Sequence, residues 1–90
     1  MFYETTAVIL DGDFATLGTM LCDLQPTRQV ITLEEQMELE VTARAFCAPC
    51  GLISASGYLE IGTTLYKILR ITPWDEYWEL WLYRCERSAP

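Results

Sequence analysis

The last third of the chain, Gly62-Thr-Thr-Leu-Tyr-Lys-Ile-Leu-Arg-Ile-Thr-Pro-Trp-Asp-Glu-Tyr-Trp-Glu-Leu-Trp-Leu-Tyr-Arg-Cys85, limits the possible folds more than any other stretch, because it reads as one long β-hairpin. Leu65, Tyr66, Ile68, Leu69 and Ile71 supply the apolar and aromatic side chains that strands favour, and Pro73 with Asp75 interrupts them as turn residues do. In the second strand, Tyr77 to Cys85, alternation puts Trp78, Leu80 and Leu82 on one face and Tyr77, Glu79, Trp81 and Tyr83 on the other. Both faces are largely apolar, whereas an open sheet would keep one face polar for water. One face therefore belongs to a core. The other either meets a partner or, through Trp81 and Tyr83, packs under the preceding segment.

The remaining strands are short. Glu4 to Leu10 reads as a first strand, closed by the turn signal Asp11-Gly12-Asp13. Ala15 to Leu24 is β-like again, with Leu17, Met20, Leu21, Cys22 and Leu24 available to a core, and Pro26 requires that pairing end there or lie at an edge. Val30 to Met37 admits two readings. Thr32 with Glu35 matches a capping box and Leu33 with Met37 is spaced i,i+4, so the stretch is a short helical turn or a mobile loop. From Glu38 to Cys47 the alternation is clean: Leu39, Val41, Ala43 and Ala45 on one face, Glu38, Glu40, Thr42 and Arg44 on the other. After the turn Ala48-Pro49-Cys50-Gly51, Leu52 to Ser54 and Tyr58 to Ile61 read as short strand pieces.

These elements predict an all-β chain, a small antiparallel β-barrel or sandwich of about six strands with one long loop or short helical turn at about residues 28–38. With 90 residues it makes one domain, 1–90, that buries about 60–65% of the surface of its unfolded form. Hydrophobic residues make up 51% and charged residues 21%, a globular composition. No apolar run reaches the roughly 20 residues of a membrane span, and the acidic amino terminus lacks the basic region of a signal peptide, which predicts a cytoplasmic origin with free thiols and no membrane.

Thirteen acids against six bases give a net charge of −7, which disfavours binding to phosphates. There is no His, so a Ser or Cys nucleophile would lack its usual base; the chain reads as a non-enzyme with no cofactor. Asp11 and Asp13 read as turn formers, since one Asp-Gly-Asp lacks the further ligands of a calcium loop. Phe46-Cys47-Ala48-Pro49-Cys50 has the spacing of a thioredoxin dithiol, but Gly and β-formers follow it where that centre needs a helix. The same two thiols are half of a tetrahedral zinc set, which Cys22 and Cys85 would have to complete from distant segments. The other reading is a tight Pro turn with partly buried thiols, and no metal.

Cys22-Asp-Leu-Gln-Pro26, Val41-Thr-Ala-Arg-Ala-Phe46, Tyr58-Leu-Glu-Ile-Gly-Thr-Thr-Leu-Tyr-Lys-Ile-Leu-Arg-Ile71 and Trp78-Glu-Leu-Trp-Leu-Tyr83 together resemble, in their arrangement, the small head–tail connector proteins of tailed bacteriophages, known as head-closure, stopper or minor capsid proteins. The first stretch is similar to the strand end before their long loop, the second to their central strand, and the last two to their final pair of strands. The Cys47–Cys50 pair is additional to that pattern, and Gly62 stands three residues before Leu65. The resemblance implies a small β-barrel with a projecting loop, here Arg28 to Glu38, that assembles in the host cytoplasm into a homo-oligomeric ring of the virion. Its partners would be the portal or adaptor protein and the tail proteins, with DNA passing through and no sequence-specific contact. Trp74, Trp78, Trp81 and Tyr83, with Arg28, Leu33 and Met37, are the candidate interface residues. The rival reading from composition and charge is a small acidic intracellular interaction module or inhibitor of a host protein.

Overall fold

The computed structural model describes residues 3–34 and 37–85, of which 28, 29, 31–34 and 37–39 are described by their backbone alone. Six strands follow one another as β1 (Thr5–Leu10), β2 (Thr16–Glu34), β3 (Met37–Cys47), β4 (Tyr58–Ile61), β5 (Thr64–Pro73) and β6 (Trp78–Cys85), with no helix among the described residues. They close into a barrel in the order β1-β2-β3-β6-β5-β4. Each neighbouring pair is antiparallel, including β4 with β1 at the seam. Four connections join adjacent strands. The fifth, from β3 to β4, crosses an end of the barrel through residues 48–57 and sets Ile53 into the core.

A barrel of six strands has a narrow interior, and the side chains inside it are graded to fit. β1, β2 and β3 turn mostly small groups inward, Ala7, Cys22, Ala43, Ala45 and Cys47, together with the larger Ile9 and Val41, all buried. β4, β5 and β6 fill the space with Leu59, Ile68, Leu80 and Leu82, each fully buried. The predicted inner face of β3 is the observed one at Val41, Ala43 and Ala45, the Leu39 side chain lying outside those described, and the alternation of β6 puts Leu80 and Leu82 in the core. Trp78 shares that inner phase and packs against the core, leaving Trp81 and Tyr83 outside.

Two stretches differ from the sequence reading, and at Pro26 its edge alternative holds: pairing does not end there, and β2 runs on to Glu34 opposite β3, with an irregular register between Pro26 and Gln29. Beyond Cys22, β2 has no partner on the β1 side, so the missing N–H of Pro26 removes nothing from a ladder there. The segment about 28–38, expected as a long loop or short helical turn, is strand on both sides of 35 and 36, and Thr32 pairs with Glu38. Glu35 of the expected capping box lies outside the described residues. β2 and β3 thus continue past the barrel wall as a two-stranded arm, because β3 pairs with β6 only from Ala43 onward. Finally, Leu52 to Ser54 is not a strand but part of a run of turns, held by hydrogen bonds from the Ile53 N–H to the Cys50 carbonyl (3.2 Å) and from the Gly57 N–H to the Ser54 carbonyl (3.0 Å).

Asp11 forms its turn as expected. One carboxylate oxygen accepts from the Asp13 and Ala15 N–H groups at 2.8 and 2.9 Å, and its carbonyl accepts from the Phe14 N–H at 3.0 Å. The left-handed residue of this turn is Phe14, at φ 66°, and not Gly12. The Phe14 ring lies 4.5 Å from that of Tyr58, a contact that offsets the backbone strain.

Candidate interaction surface

Among the described residues, the outer face of β3, β6 and β5 carries a connected arrangement of cationic, acidic and aromatic side chains. Pairing places Arg44 of β3 and Arg70 of β5 on either side of Trp81 of β6. Their guanidinium carbons lie 4.9 and 5.4 Å from the indole centroid, so the ring is flanked by a cation from each neighbouring strand. The Trp81 indole nitrogen is buried with no hydrogen-bond acceptor. Two residues earlier on β6, Glu79 is turned outward yet is only 8% exposed. Its carboxylate accepts from the Arg44 guanidinium at 3.3 Å and from the Trp74 indole N–H at 3.3 Å. These two donors stabilise a charge that desolvation alone would disfavour.

Trp74 sits in the β5–β6 turn, which closes through its N–H to the Tyr77 carbonyl at 2.9 Å. Tyr77 then links the rings, 6.4 Å from Trp74 and 6.0 Å from Phe46. Aromatic groups therefore run along this face from Phe46, Tyr77 and Trp74 past Trp81 to Tyr83, with Trp74 50% and Tyr83 38% exposed. Of the predicted interface residues, the structure brings Trp74, Trp81 and Tyr83 to this face and turns Trp78 inward. The backbones of Arg28 and Leu33 lie on β2 and that of Met37 on β3, in the arm; their side chains lie outside the described residues.

A second apolar face lies on β1 and β2. Ile9 pairs with Gly18 and Ala7 with Met20 on the inside, so the alternate residues Val8, Leu17, Thr19 and Leu21 point outward. Leu17 is 41% and Leu21 54% exposed. The sequence reading pooled these two leucines with Met20, Cys22 and Leu24 as core. The period-two spacing, with Leu17 and Leu21 out of phase with Met20, Cys22 and Leu24, was the signal that separates them.

Where β3 parts from β6, the Thr42 hydroxyl takes the place of the next ladder bond. It accepts from the Arg84 N–H at 2.8 Å and donates to the Leu82 carbonyl at 3.5 Å. Above it opens a cleft of about 690 Å³ lined by Glu40, Thr42, Thr63, Thr64, Tyr83, Arg84 and Cys85. It brings one thiol among carboxylate, guanidinium and hydroxyl groups, and the chain has no imidazole to activate it.

The cysteines are dispersed. Cys22 and Cys47 face each other inside the wall between β2 and β3, whereas Cys85 ends β6 far from Trp78, the residue that pairs with Cys47. All four are free thiols, and among the described residues no three His, Cys, Asp or Glu side chains stand close enough to share a metal ion. Burial pushes the Cys47 thiol up to about 11, with the neighbouring Cys22 and Cys50 adding to the shift. A redox dithiol requires the opposite, a lowered value at a helix start. Among the described residues no helix is long and apolar enough to cross a membrane. No protein-family model matches the chain, and neither does any curated protein.

Proposed function

We propose that this chain is a structural virion protein of a tailed phage, forming a ring at the head–tail interface that closes or extends the portal DNA channel and joins head to tail. The observation that carries the reading is a small barrel, complete in its own core, from which a two-stranded arm projects while aromatic groups line an outer wall. Since a closed barrel has no free edge of its own, the arm and the outer faces are what remain for assembly. The chemistry points the same way. A net charge of −7 lets DNA pass a lumen without being held, and the cysteine geometry favours packing over catalysis or metal binding. Partners would be further copies, the portal or adaptor protein and the tail proteins, with assembly in the bacterial cytoplasm.

The test is native mass spectrometry of the purified chain over a range of concentrations, with and without a chelator, followed by electron microscopy with a portal ring. The expected result is a metal-free closed ring that forms alone or on the portal. A chain that stays monomeric, ignores portal and binds a host protein one to one would overturn the reading in favour of an inhibitor.

A further inference from the structure

Cys22 and Cys47 hold the middle of a row of paired residues that crosses four strands, Thr5 with Cys22, Cys22 with Cys47 and Cys47 with Trp78. They are 0% and 1% exposed, so both thiols sit on the inner side of the wall. The backbone bonds of Cys47 go to β6. At the other end of that ladder the Leu82 carbonyl and the Arg84 N–H both turn toward β3, where the Thr42 hydroxyl meets them, which makes Leu82 and Ala43 a hydrogen-bonded pair. Four residues along, Trp78 and Cys47 repeat it.

Toward β2, Cys47 therefore has a non-hydrogen-bonded neighbour, the arrangement in which antiparallel Cα atoms stand about 4.5 Å apart. Disulfides span Cα separations of about 4.4–6.8 Å, so a bond between these two sulfurs needs no rearrangement of either strand. The other thiols are placed differently. Cys50 belongs to the crossing connection and to no paired strand, and Cys85 pairs with Leu65.

We infer that Cys22 and Cys47 are a redox staple, free thiols in reducing surroundings and a disulfide across the β2–β3 wall once a low-molecular-weight disulfide such as oxidised glutathione is present. The two thiols give up their protons and two electrons, and a bond forms between their sulfurs. The sulfur–sulfur bond of the oxidant breaks and takes up both, leaving two glutathione thiols. The loop so closed, residues 23–46, contains the whole arm, and the staple ties its two strands together where their pairing begins. This chemistry is not that of a catalytic dithiol. Burial pushes both thiols up to about 11, so little thiolate forms at neutral pH, and sulfurs that leave poorly protect the closed bond from reduction. The staple needs no ring, since it lies within a single chain.

The test is incubation of the purified chain for hours at neutral pH with oxidised and reduced glutathione, at ratios from fully reducing to fully oxidising. Free thiols are then alkylated, the linkage is mapped on unreduced peptides, and thermal unfolding is followed. The expected result is one bond, between Cys22 and Cys47, with Cys50 and Cys85 left out of it. The unfolding temperature should rise by about 10 °C and return to its starting value on reduction. A variant with Cys50→Ala and Cys85→Ala should behave in the same way, because it keeps the pair and removes every rival. Oxidation is repeated in urea at the foot of the unfolding transition, where transient opening exposes buried thiols and slow access cannot hide a bond. A bond between Cys47 and Cys50, no bond between Cys22 and Cys47 under either condition, or a bond that lowers the unfolding temperature would each overturn the staple; should the double variant fail to fold, the wild-type map decides.

Discussion

Cys22 on β2 and Cys47 on β3 stand directly opposite one another inside the barrel wall, and neither thiol reaches solvent. Four positions along β2, Pro26 pairs with Ala43 and has no N–H to give, so that pair is of the non-hydrogen-bonded kind. The two kinds alternate, which makes Cys22 and Cys47 a non-hydrogen-bonded pair as well, where side chains approach most closely. Burial pushes both thiols up to about 11, reinforced by Asp23 at Cys22 and by Cys22 and Cys50 at Cys47.

Stability should therefore fall in alkali. Below about pH 9 both states hold their thiol protons and the contribution is constant. Between 9 and 11 the unfolded chain ionises while the folded one does not, so unfolding becomes progressively easier as the pH rises through that window. Urea titrations from pH 8 to pH 11 on the wild type and on Cys22→Ala with Cys47→Ala measure it. The double variant, weaker throughout, should lose less stability over that range; equal slopes would place the titration in other groups.

Glu79 gives the second prediction. Its side chain is 10% exposed and that of Arg44 33%, so the ion pair is only partly screened. Glu79→Ala removes the acceptor for Arg44 and for the Trp74 indole together and should destabilise by about 1–3 kcal/mol. Glu79→Gln keeps an acceptor for one of these donors and should cost about half as much. A double-mutant cycle with Arg44→Ala should return a coupling of about 1 kcal/mol, and additivity would show that the pair contributes nothing. Arg44→Lys should not restore the wild type, because an ammonium cannot both stack on Trp81 and reach Glu79 as the planar guanidinium does.

Much of this fold was legible because its strands advertise themselves. Glu38 to Cys47 alternates without a fault, and the inner side chains Val41, Ala43, Ala45 and Cys47 are buried as the period demands. The terminal hairpin was legible for its density of strand formers. What escaped was register. β5 has an irregular register between Ile68 and Arg70, so Leu69 has no partner and the phase of its inward residues changes along the strand. The arm escaped for another reason: Thr32 and Glu35 match a capping box, yet Val30, Ile31 and Thr32 pair with Glu40, Leu39 and Glu38 as a hairpin, and cross-strand bonds outweigh one cap. The role of Glu79 lay out of reach, since a charged residue on an outward phase reads as solvated until Arg44 and Trp74 are brought to it from other parts of the sheet.

Two glycines should respond differently to the same methyl group. A Cβ on Gly57 would meet the Leu10 carbonyl oxygen at 2.6 Å, where β4 closes on β1, and neither backbone can yield without opening the seam. Gly57→Ala should destabilise by about 2–3 kcal/mol. At Gly62 there is open space, and only the left-handed φ of +62° resists substitution. Gly62→Ala should cost about 1 kcal/mol and Gly62→Asn less, since Asn tolerates that conformation. Thermal unfolding of the three variants tests the order, and equal losses at both positions would refute the seam argument.

The cysteine pair of the 47–50 turn separates a barrel from a thiol or zinc module. Cys47 is buried in the wall while Cys50 lies half-buried against the core from the crossing connection. In a barrel, Cys47→Ser places a hydroxyl among apolar neighbours and should cost about 1–3 kcal/mol, whereas Cys50→Ser should cost under about 1 kcal/mol. Assembly of both variants should equal that of the wild type once temperature is lowered to compensate. In a zinc or redox module the two thiols act as a unit, so both substitutions would abolish function equally and a chelator or alkylating agent would mimic them. Metal content of the purified chain, unfolding curves with and without chelator, and assembly of the two serine variants decide between these outcomes. Unequal stability losses with unchanged assembly support the barrel.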